Sequence, residues 1–286
     1  MTGSDVASEL LTVTRDGVDL VGERWAAQGT GRGSVLLLHG GGQRRFSWHR
    51  TGAWLAEAGW NAYAFDARGH GDSGRALDGD YSITALVDDL VAIIAEIGER
   101  PVLVGASMGG MASLVAEGER GPLARALVLV DIVARVEAEG AARIQQFMHG
   151  NPEGFASLEE ASDAIAAYNP HRPRPTSLDG LRKNLVQGED GRWRWHWDPA
   201  FLQRGTEPER EVRYERSRAA AANITVPTLL VRGAHSDIVS DEGLREMQQL
   251  IPQAETVQVH AAGHMIAGDD NDVFTAELLR FIDATP

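Results

Sequence analysis

Residues 101–116 read Pro-Val-Leu-Val-Gly-Ala-Ser-Met-Gly-Gly-Met-Ala-Ser-Leu-Val-Ala, and they predict more of the architecture than any other part of the chain. Pro101–Val104 is an apolar run of strand length, and Met108–Ala116 has the apolar pattern of a buried helix. Between them lies Gly105-Ala106-Ser107-Met108-Gly109, whose small residues allow close approach of the backbone. We therefore predict a strand, a sharp turn and a helix, with Ser107 at the helix N-terminus.

Short apolar runs alternate with helical patterns on both sides of this segment. The other predicted core strands are Ser34–Leu38, Asn61–Phe65, Ala126–Val130, Thr228–Val231 and Thr256–Val259. The helical patterns between them are Trp48–Ala58, Ser82–Ile97, Leu244–Leu250 and Val273–Ile282. Almost continuously apolar strands separated by helices indicate an α/β fold whose mostly parallel sheet has helices on both faces. An antiparallel hairpin, Leu11–Thr14 with Val18–Trp25, precedes this sheet.

The alternation stops after Asp131 and resumes near Val226-Pro227. Residues 132–222, called the insertion below, show helical patterns at Val133–Met148, Leu158–Tyr168, Leu178–Leu185 and Glu207–Ala222. None of these resembles a central strand. The sequence therefore predicts a core formed by residues 1–131 and 223–286, interrupted once by a helical domain at 132–222.

Composition excludes several classes of protein. The net charge of −14 argues against a nucleic-acid partner, because such proteins need a basic face. The absence of cysteine removes disulfides, thiolate metal sites and cysteine nucleophiles. Residues 1–9 lack the basic-then-apolar pattern of a secretion signal, and no apolar run approaches membrane-spanning length. We expect a cytoplasmic protein that does not bind a membrane, a metal or a cofactor and that acts on a small molecule. Whether the chain forms a homodimer is left open.

A serine at this kind of turn points to nucleophilic chemistry, which needs a base and an acid. A serine hydroxyl attacks poorly unless a histidine removes its proton. His264 follows the last predicted strand and is the preferred base, with His260, at the strand end, as its competitor. The preferred acid is Asp237, which follows Thr228–Val231 and gives the chain order Ser, Asp, His. Asp131, at the end of the preceding strand, is the alternative.

An acyl-transfer site also needs backbone N–H groups that stabilise the tetrahedral oxyanion. Met108, directly after Ser107, is predicted to supply one. The second should come from the loop His39-Gly40-Gly41-Gly42, where glycines let the backbone approach a substrate. We predict Gly41 as the donor, with Gly42 as the next candidate.

These motifs resemble the α/β-hydrolase superfamily over nearly the whole chain. Asp66–Ser73 (Asp-Ala-Arg-Gly-His-Gly-Asp-Ser) is similar to the loop after its fourth strand, and Gly105–Gly110 resembles its nucleophile elbow. The resemblance implies the α/β-hydrolase fold and makes the insertion a cap domain. Epoxide hydrolases and haloalkane dehalogenases look similar but carry an aspartate nucleophile, so Ser107 argues against both. Esterases, lactonases, carbon–carbon bond hydrolases and cofactor-free haloperoxidases remain.

The expected substrate is a small, largely apolar carboxylic ester or lactone. The substrate-binding candidates are Gly42 and the aromatic residues Phe46, Trp48, Trp193, Trp195 and Trp197. The last three alternate along the chain, so in an extended segment they could roof an apolar cleft, or they could instead hold the insertion on the core. Two alternatives stay open: a carbon–carbon bond hydrolase of a dicarbonyl compound with the same triad, and a non-catalytic ligand-binding protein.

Overall fold

The computed structural model describes residues 6–168, 178, 180–202, 207–259 and 271–285. Its main sheet has eight strands: β1 (Ser8–Arg15), β2 (Val18–Trp25), β3 (Ser34–Leu38), β4 (Asn61–Phe65), β5 (Val102–Ala106), β6 (Ala126–Val130), β9 (Thr228–Gly233) and β10 (Glu255–Val259). Their order in the sheet is β1-β2-β4-β3-β5-β6-β9-β10. β1 pairs antiparallel with β2, and β2 with β4; all other pairs are parallel. The predicted α/β class is confirmed.

Parallel pairing places the carboxyl ends of β3, β5, β6 and β9 at one edge of the sheet. Leu38 lies opposite Gly105 in the β3–β5 register, and Ala106 lies opposite Val130 in the β5–β6 register. The residues that follow these strands therefore meet at one edge, where ligands bind in open parallel sheets.

Alternate residues of the central strands supply two separate apolar cores. Leu103 belongs to one buried cluster, while Val102 and Val104 belong to the other. The helices that cover the two faces are α1 (His49–Glu57), α2 (Ile83–Ile97), α3 (Met108–Arg120), α6 (Glu207–Ala222), α7 (Asp241–Leu250) and α8 (Asn271–Ala284). Helices on both faces explain why the strands read as continuous apolar runs. None of the helices in the described ranges is long and apolar enough to span a membrane.

The insertion contains two further helices, α4 (Ala138–His149) and α5 (Leu158–Tyr168), and a small antiparallel pair, β7 (Leu185–Gln187) with β8 (Trp193–Trp195). The predicted helix Val133–Met148 begins five residues late, because Val133 and Ala134 are buried in the core. The prediction of a helix over Leu178–Leu185 was wrong: Leu181–Lys183 is a single 3₁₀ turn, and Leu185 begins a strand.

Helix α6 packs on core helix α3, although it lies within residues 132–222. A Cβ placed on Gly118 of α3 would lie 2.2 Å from the carbonyl oxygen of Ala220, so the two backbones nearly touch. The C-terminal part of the insertion is thus attached to the core layer. The boundary of a cap domain at residue 222 stays a prediction.

Candidate active site

Ser107 stands in a backbone conformation that ordinary residues avoid. Its φ is 46° and its ψ is −108°, between the end of β5 and the start of α3. Its N–H donates to the Val130 carbonyl at 3.0 Å, and its carbonyl accepts from Met111 N–H at 2.8 Å. Such strain costs about 1–3 kcal/mol and persists only where the surroundings impose it, which is typical of functional sites.

The turn requires the glycines that flank Ser107. A Cβ on Gly109 would lie 2.6 Å from the Leu38 carbonyl oxygen, and one on Gly105 would lie 2.5 Å from the Gly110 Cα. Gly109 N–H also donates to the His39 carbonyl at 3.2 Å. The serine turn and the loop after β3 are therefore in direct backbone contact.

The amides of the loop His39–Gly42 differ in their hydrogen-bond partners among the described residues. Gly40 N–H donates to Gln43 Oε1 at 2.9 Å, and Gly42 N–H donates to His70 Nε2 at 3.1 Å. Within the described parts of the chain, the Gly41 amide makes no hydrogen bond. A Cβ on Gly40 would lie 3.4 Å from Ser107 Cβ, so this loop borders the serine.

The two candidate acids have different surroundings. Asp131 is 1% exposed, has φ 50°, and accepts hydrogen bonds from Gly233 N–H at 3.1 Å and Ser236 Oγ at 2.7 Å. Asp237 is partly exposed and forms an ion pair with Arg143 of α4, with 2.7 Å between the Arg143 terminal nitrogen and Asp237 Oδ2. Asp131 follows β6, next to the strand that carries Ser107.

The structure describes a histidine in the loop after β3 but neither of the two candidate bases. His264 and His260 both lie outside the described residues. His39 is engaged in the loop after β3: one ring nitrogen donates to the Gly40 carbonyl at 2.8 Å, and Nε2 accepts from Ala67 N–H at 2.9 Å. Burial lowers the pKa of His39 below its usual value, which keeps the ring neutral.

The sequence model of the alpha/beta hydrolase fold family matches residues 33–270. The chain belongs to the α/β-hydrolase fold family. An esterase of Mycobacterium tuberculosis is 30% identical over 82% of this chain and 78% of its own length. The 2-(acetamidomethylene)succinate hydrolase of Mesorhizobium japonicum is 26% identical over 77% of this chain and 78% of its own. A crystal structure of E-2-(acetamidomethylene)succinate hydrolase has the same fold, with a TM-score of 0.79 and 22% identity over 97% of this chain and 100% of the other. The family match and the esterase among the relatives support the assignment of this chain as a hydrolase.

In this α/β-hydrolase, the aromatic residues predicted to bind substrate lie in different surroundings. Trp195 and Trp197 stack at 4.8 Å between ring centroids, and a Cβ on Gly42 would lie 3.2 Å from the Trp197 ring. Trp193 lies in β8, where it pairs with Phe155 by backbone hydrogen bonds. Phe46 is 44% exposed and stacks on His49, whereas Trp48 is fully buried against Phe274. Neither Phe46 nor Trp48 has a described contact that supports a role in substrate binding.

Two further apolar side chains, Phe201 and Met148, lie beside the predicted oxyanion donor Gly41 and its neighbour Gly42. A Cβ on Gly41 would lie 3.1 Å from Phe201 Cζ, and a Cβ on Gly42 would lie 3.0 Å from Met148 Cε. Both residues come from the insertion. Their apolar character is visible in the sequence, but nothing in its pattern places them beside the loop after β3.

The loop Asp66–Ser73 contacts the loop after β3 and contains two buried charged residues. The Asp66 carboxylate is buried, accepts from Arg45 N–H at 2.7 Å and pairs with the Arg45 guanidinium. Arg68 makes a two-bond contact with Asp89, at 2.6 and 2.7 Å. The charges of Asp66 and Arg68 are therefore paired within the protein. Across the described ranges, no cluster of three His, Asp or Glu side chains could hold a metal ion.

Proposed function

We propose that this α/β-hydrolase is a serine hydrolase that cleaves a small, largely apolar carboxylic ester or lactone through an acyl-enzyme on Ser107. The Ser107 hydroxyl attacks the substrate carbonyl while His264 takes its proton. The oxyanion is stabilised by the N–H groups of Gly41 and Met108. The alcohol then leaves with the proton from His264, and water hydrolyses the acyl-enzyme.

The observation that carries this proposal is the strained Ser107 beside an unengaged amide. Ser107 is partly exposed at φ 46°, and among the described residues the amides of Gly40 and Gly42 have hydrogen-bond partners whereas that of Gly41 has none. A ligand-binding protein would have no need of a strained serine next to an N–H donor. This arrangement supports catalysis over the non-catalytic alternative.

The contacts of the two aspartates favour Asp131 as the acid, rather than Asp237. A triad acid is buried and held by hydrogen bonds, so that it orients the histidine and stabilises the imidazolium. Asp131 meets both conditions through Gly233 and Ser236. The Asp237 carboxylate is already paired with Arg143. We therefore propose the triad Ser107, His264 and Asp131, and a role for Asp237 in holding α4.

The residues around the predicted oxyanion donors support an apolar substrate. The side chains of Met108, Met148, Trp197 and Phe201 lie within 4 Å of where a Cβ on Gly41 or Gly42 would stand, and none of them carries a charge. Arg44 follows Gly42 by two positions in the sequence, but its guanidinium donates to Asp72 at 2.8 Å and to the Lys183 carbonyl at 2.6 Å. A substrate whose acyl group is uncharged fits these surroundings better than a carboxylate. Carbon–carbon cleavage by the same triad stays the enzymatic alternative, and one relative carries the name of a succinate-derivative hydrolase.

A fluorophosphonate probe tests the proposed nucleophile. The wild-type protein should be labelled, Ser107→Ala should not, and a substitution at the exposed His149 should label as wild type does. A folded wild-type protein that is not labelled at neutral pH would contradict the proposal.

The substrate class is tested with a series of p-nitrophenyl esters of increasing acyl length. Met148→Ala opens space beside Gly42, so we expect the preferred chain to lengthen by one or two carbons. His149→Ala, one position along α4 and exposed, is the matched control and should leave the preference unchanged. An unchanged preference in Met148→Ala would place the acyl group elsewhere.

A further inference from the structure

Three histidines that have no part in the proposed triad form a connected group next to the Gly41 amide. The ring centroids of His39 and His70 are 5.3 Å apart, and those of His70 and His196 are 5.9 Å apart. All three side chains are at most 8% exposed. Each ring accepts a hydrogen bond from a backbone amide: Ala67 to His39, Gly42 to His70, and Gly71 to His196.

His70 engages the amide next to the predicted oxyanion donor. One of its ring nitrogens, Nδ1, lies 3.1 Å from the Arg68 carbonyl, to which it can only donate, so Nε2 is left as the acceptor for Gly42 N–H. Two consecutive amides could point at a substrate oxygen. Because His70 takes the Gly42 amide, the Gly41 amide is the one left for the substrate.

His196, in the insertion, contacts the loop that carries His70. Its Nδ1 accepts from Gly71 N–H at 2.9 Å, in the same loop that carries His70. The neighbouring residues dock there too, since Asp198 N–H donates to the Gly69 carbonyl at 2.8 Å and the Phe201 ring lies edge-on to His70 at 4.5 Å. The rings of Trp197 and Phe201 lie beside Gly42 and Gly41, 3.2 and 3.1 Å from where a Cβ on each glycine would stand. The loop after β3 is thus held between the Asp66–Ser73 loop and residues 196–201.

We propose that His70 and His196 are positioning residues for the oxyanion hole: His70 orients the Gly41–Gly42 segment by accepting the Gly42 amide, and His196 fixes the loop that carries His70. This proposal rests on the function proposed above. It links the docking of the insertion to the geometry of the oxyanion hole, so that an insertion held away from the core would lower catalysis without altering the triad.

The test at His70 compares two substitutions. Glutamine can place an oxygen where Nε2 stood and keep the acceptor, whereas leucine has a similar bulk and no acceptor. We expect His70→Leu to lower kcat for p-nitrophenyl acetate roughly 10- to 100-fold with KM within about threefold, since a displaced donor acts on the transition state. His70→Gln should recover most of the loss. Equal losses in both variants, or a normal kcat in His70→Leu, would overturn the proposal.

His196 offers the complementary pair. Asparagine can place its amide oxygen where Nδ1 accepts from Gly71, while leucine cannot. His196→Leu should lower kcat less than His70→Leu does, because it acts through one more contact, and His196→Asn should restore it. A KM effect without a kcat effect in His196→Leu would assign this residue to substrate binding and contradict the positioning role.

A measurement without turnover separates this proposal from the proposed function. In the ¹⁵N spectrum of the wild-type protein at pH 7, His70 should be neutral with its proton on Nδ1, and the Gly42 amide should exchange slowly with solvent. A proton on Nε2, or a rapidly exchanging Gly42 amide, would overturn the positioning role even if the enzyme is active. A protein that shows these signals but no fluorophosphonate labelling would contradict the hydrolase instead. This measurement also decides the case if a variant does not fold.

Discussion

Asp131 and Asp237 have the same carboxylate but opposite surroundings. Asp131 sits in a strained backbone at the end of β6 and is held by an amide and a hydroxyl. Asp237 faces an arginine of α4 and is partly solvated. Of the described non-glycine residues, only Asp16, Ser107 and Asp131 have positive φ, and Asp16 lies in the β1–β2 turn. Ser107 and Asp131 directly follow the adjacent strands β5 and β6, where the proposed chemistry takes place.

Replacement of each acid by asparagine distinguishes them. Asp131→Asn should lower kcat/KM for p-nitrophenyl acetate by about 10³- to 10⁴-fold, because the histidine loses the charge that stabilises its imidazolium. Asp237→Asn should cost less than about tenfold, since it removes only the pair with Arg143. The reverse order would return the acid to Asp237. Circular dichroism of both variants checks that the fold is intact.

The positions of Ser107 and Gly41 could be predicted because they depend on local sequence: small residues at a turn between a strand and a helix. The choice between Asp131 and Asp237 could not, because it depends on Arg143 and Ser236, which no spacing rule relates to either aspartate. His70 and His196 were not identified as a pair for the same reason. They are 126 positions apart, and their rings meet only through the docking of the insertion.

Among the secondary structure elements, β4 and β6 begin and end as predicted, because each is a mostly apolar segment of five residues between two loops. The start of α4 was misjudged because the apolar residues 132–134 belong to the core below β6 and not to an amphipathic helix. The pairing of β7 with β8 joins Leu185 to Trp195 across a turn. Each strand has only three residues, too few for an alternating pattern.

The contact between α3 and α6 predicts the effect of one methyl group. In most helices, Gly→Ala stabilises by up to about 1 kcal/mol. At Gly118 the added Cβ would meet the Ala220 carbonyl at 2.2 Å, so the backbones must separate. We expect Gly118→Ala to lower the free energy of unfolding by about 1–3 kcal/mol.

Urea unfolding measures this change. Gly31→Ala, at a site with nothing within 4 Å, is the control and should change stability by less than about 1 kcal/mol. A Gly118→Ala variant as stable as wild type would mean that α6 is not held against α3 in solution.

The buried histidines of the core and the insertion together predict how the whole molecule responds to acid. Burial lowers the pKa of His196 to about 3 and also lowers that of His39, whereas an unfolded histidine titrates near 6.5. Below about pH 6.5 the unfolded chain therefore takes up protons that the folded chain does not. The free energy of unfolding should therefore decrease as the pH is lowered below about 6.5, by up to about 1.4 kcal/mol per pH unit for each histidine.

Urea unfolding of wild type and His196→Asn at pH 7 and pH 5 checks this dependence. The variant should lose less stability between the two values than wild type, because one of the buried groups is gone. An exposed control, His149→Gln, should show the wild-type loss. Equal losses in all three proteins would contradict the assignment of the acid sensitivity to His196.

The backbone of Ser107 has a consequence for the evolution and engineering of this enzyme. Glycine adopts φ 46° readily, so Ser107→Gly should melt a few degrees above Ser107→Ala, which keeps the strain and equally lacks the hydroxyl. Thermal melting of the two variants isolates this difference. Selection for heat resistance alone would therefore favour replacement of the proposed nucleophile, and any search for a thermostable form has to select for turnover at the same time.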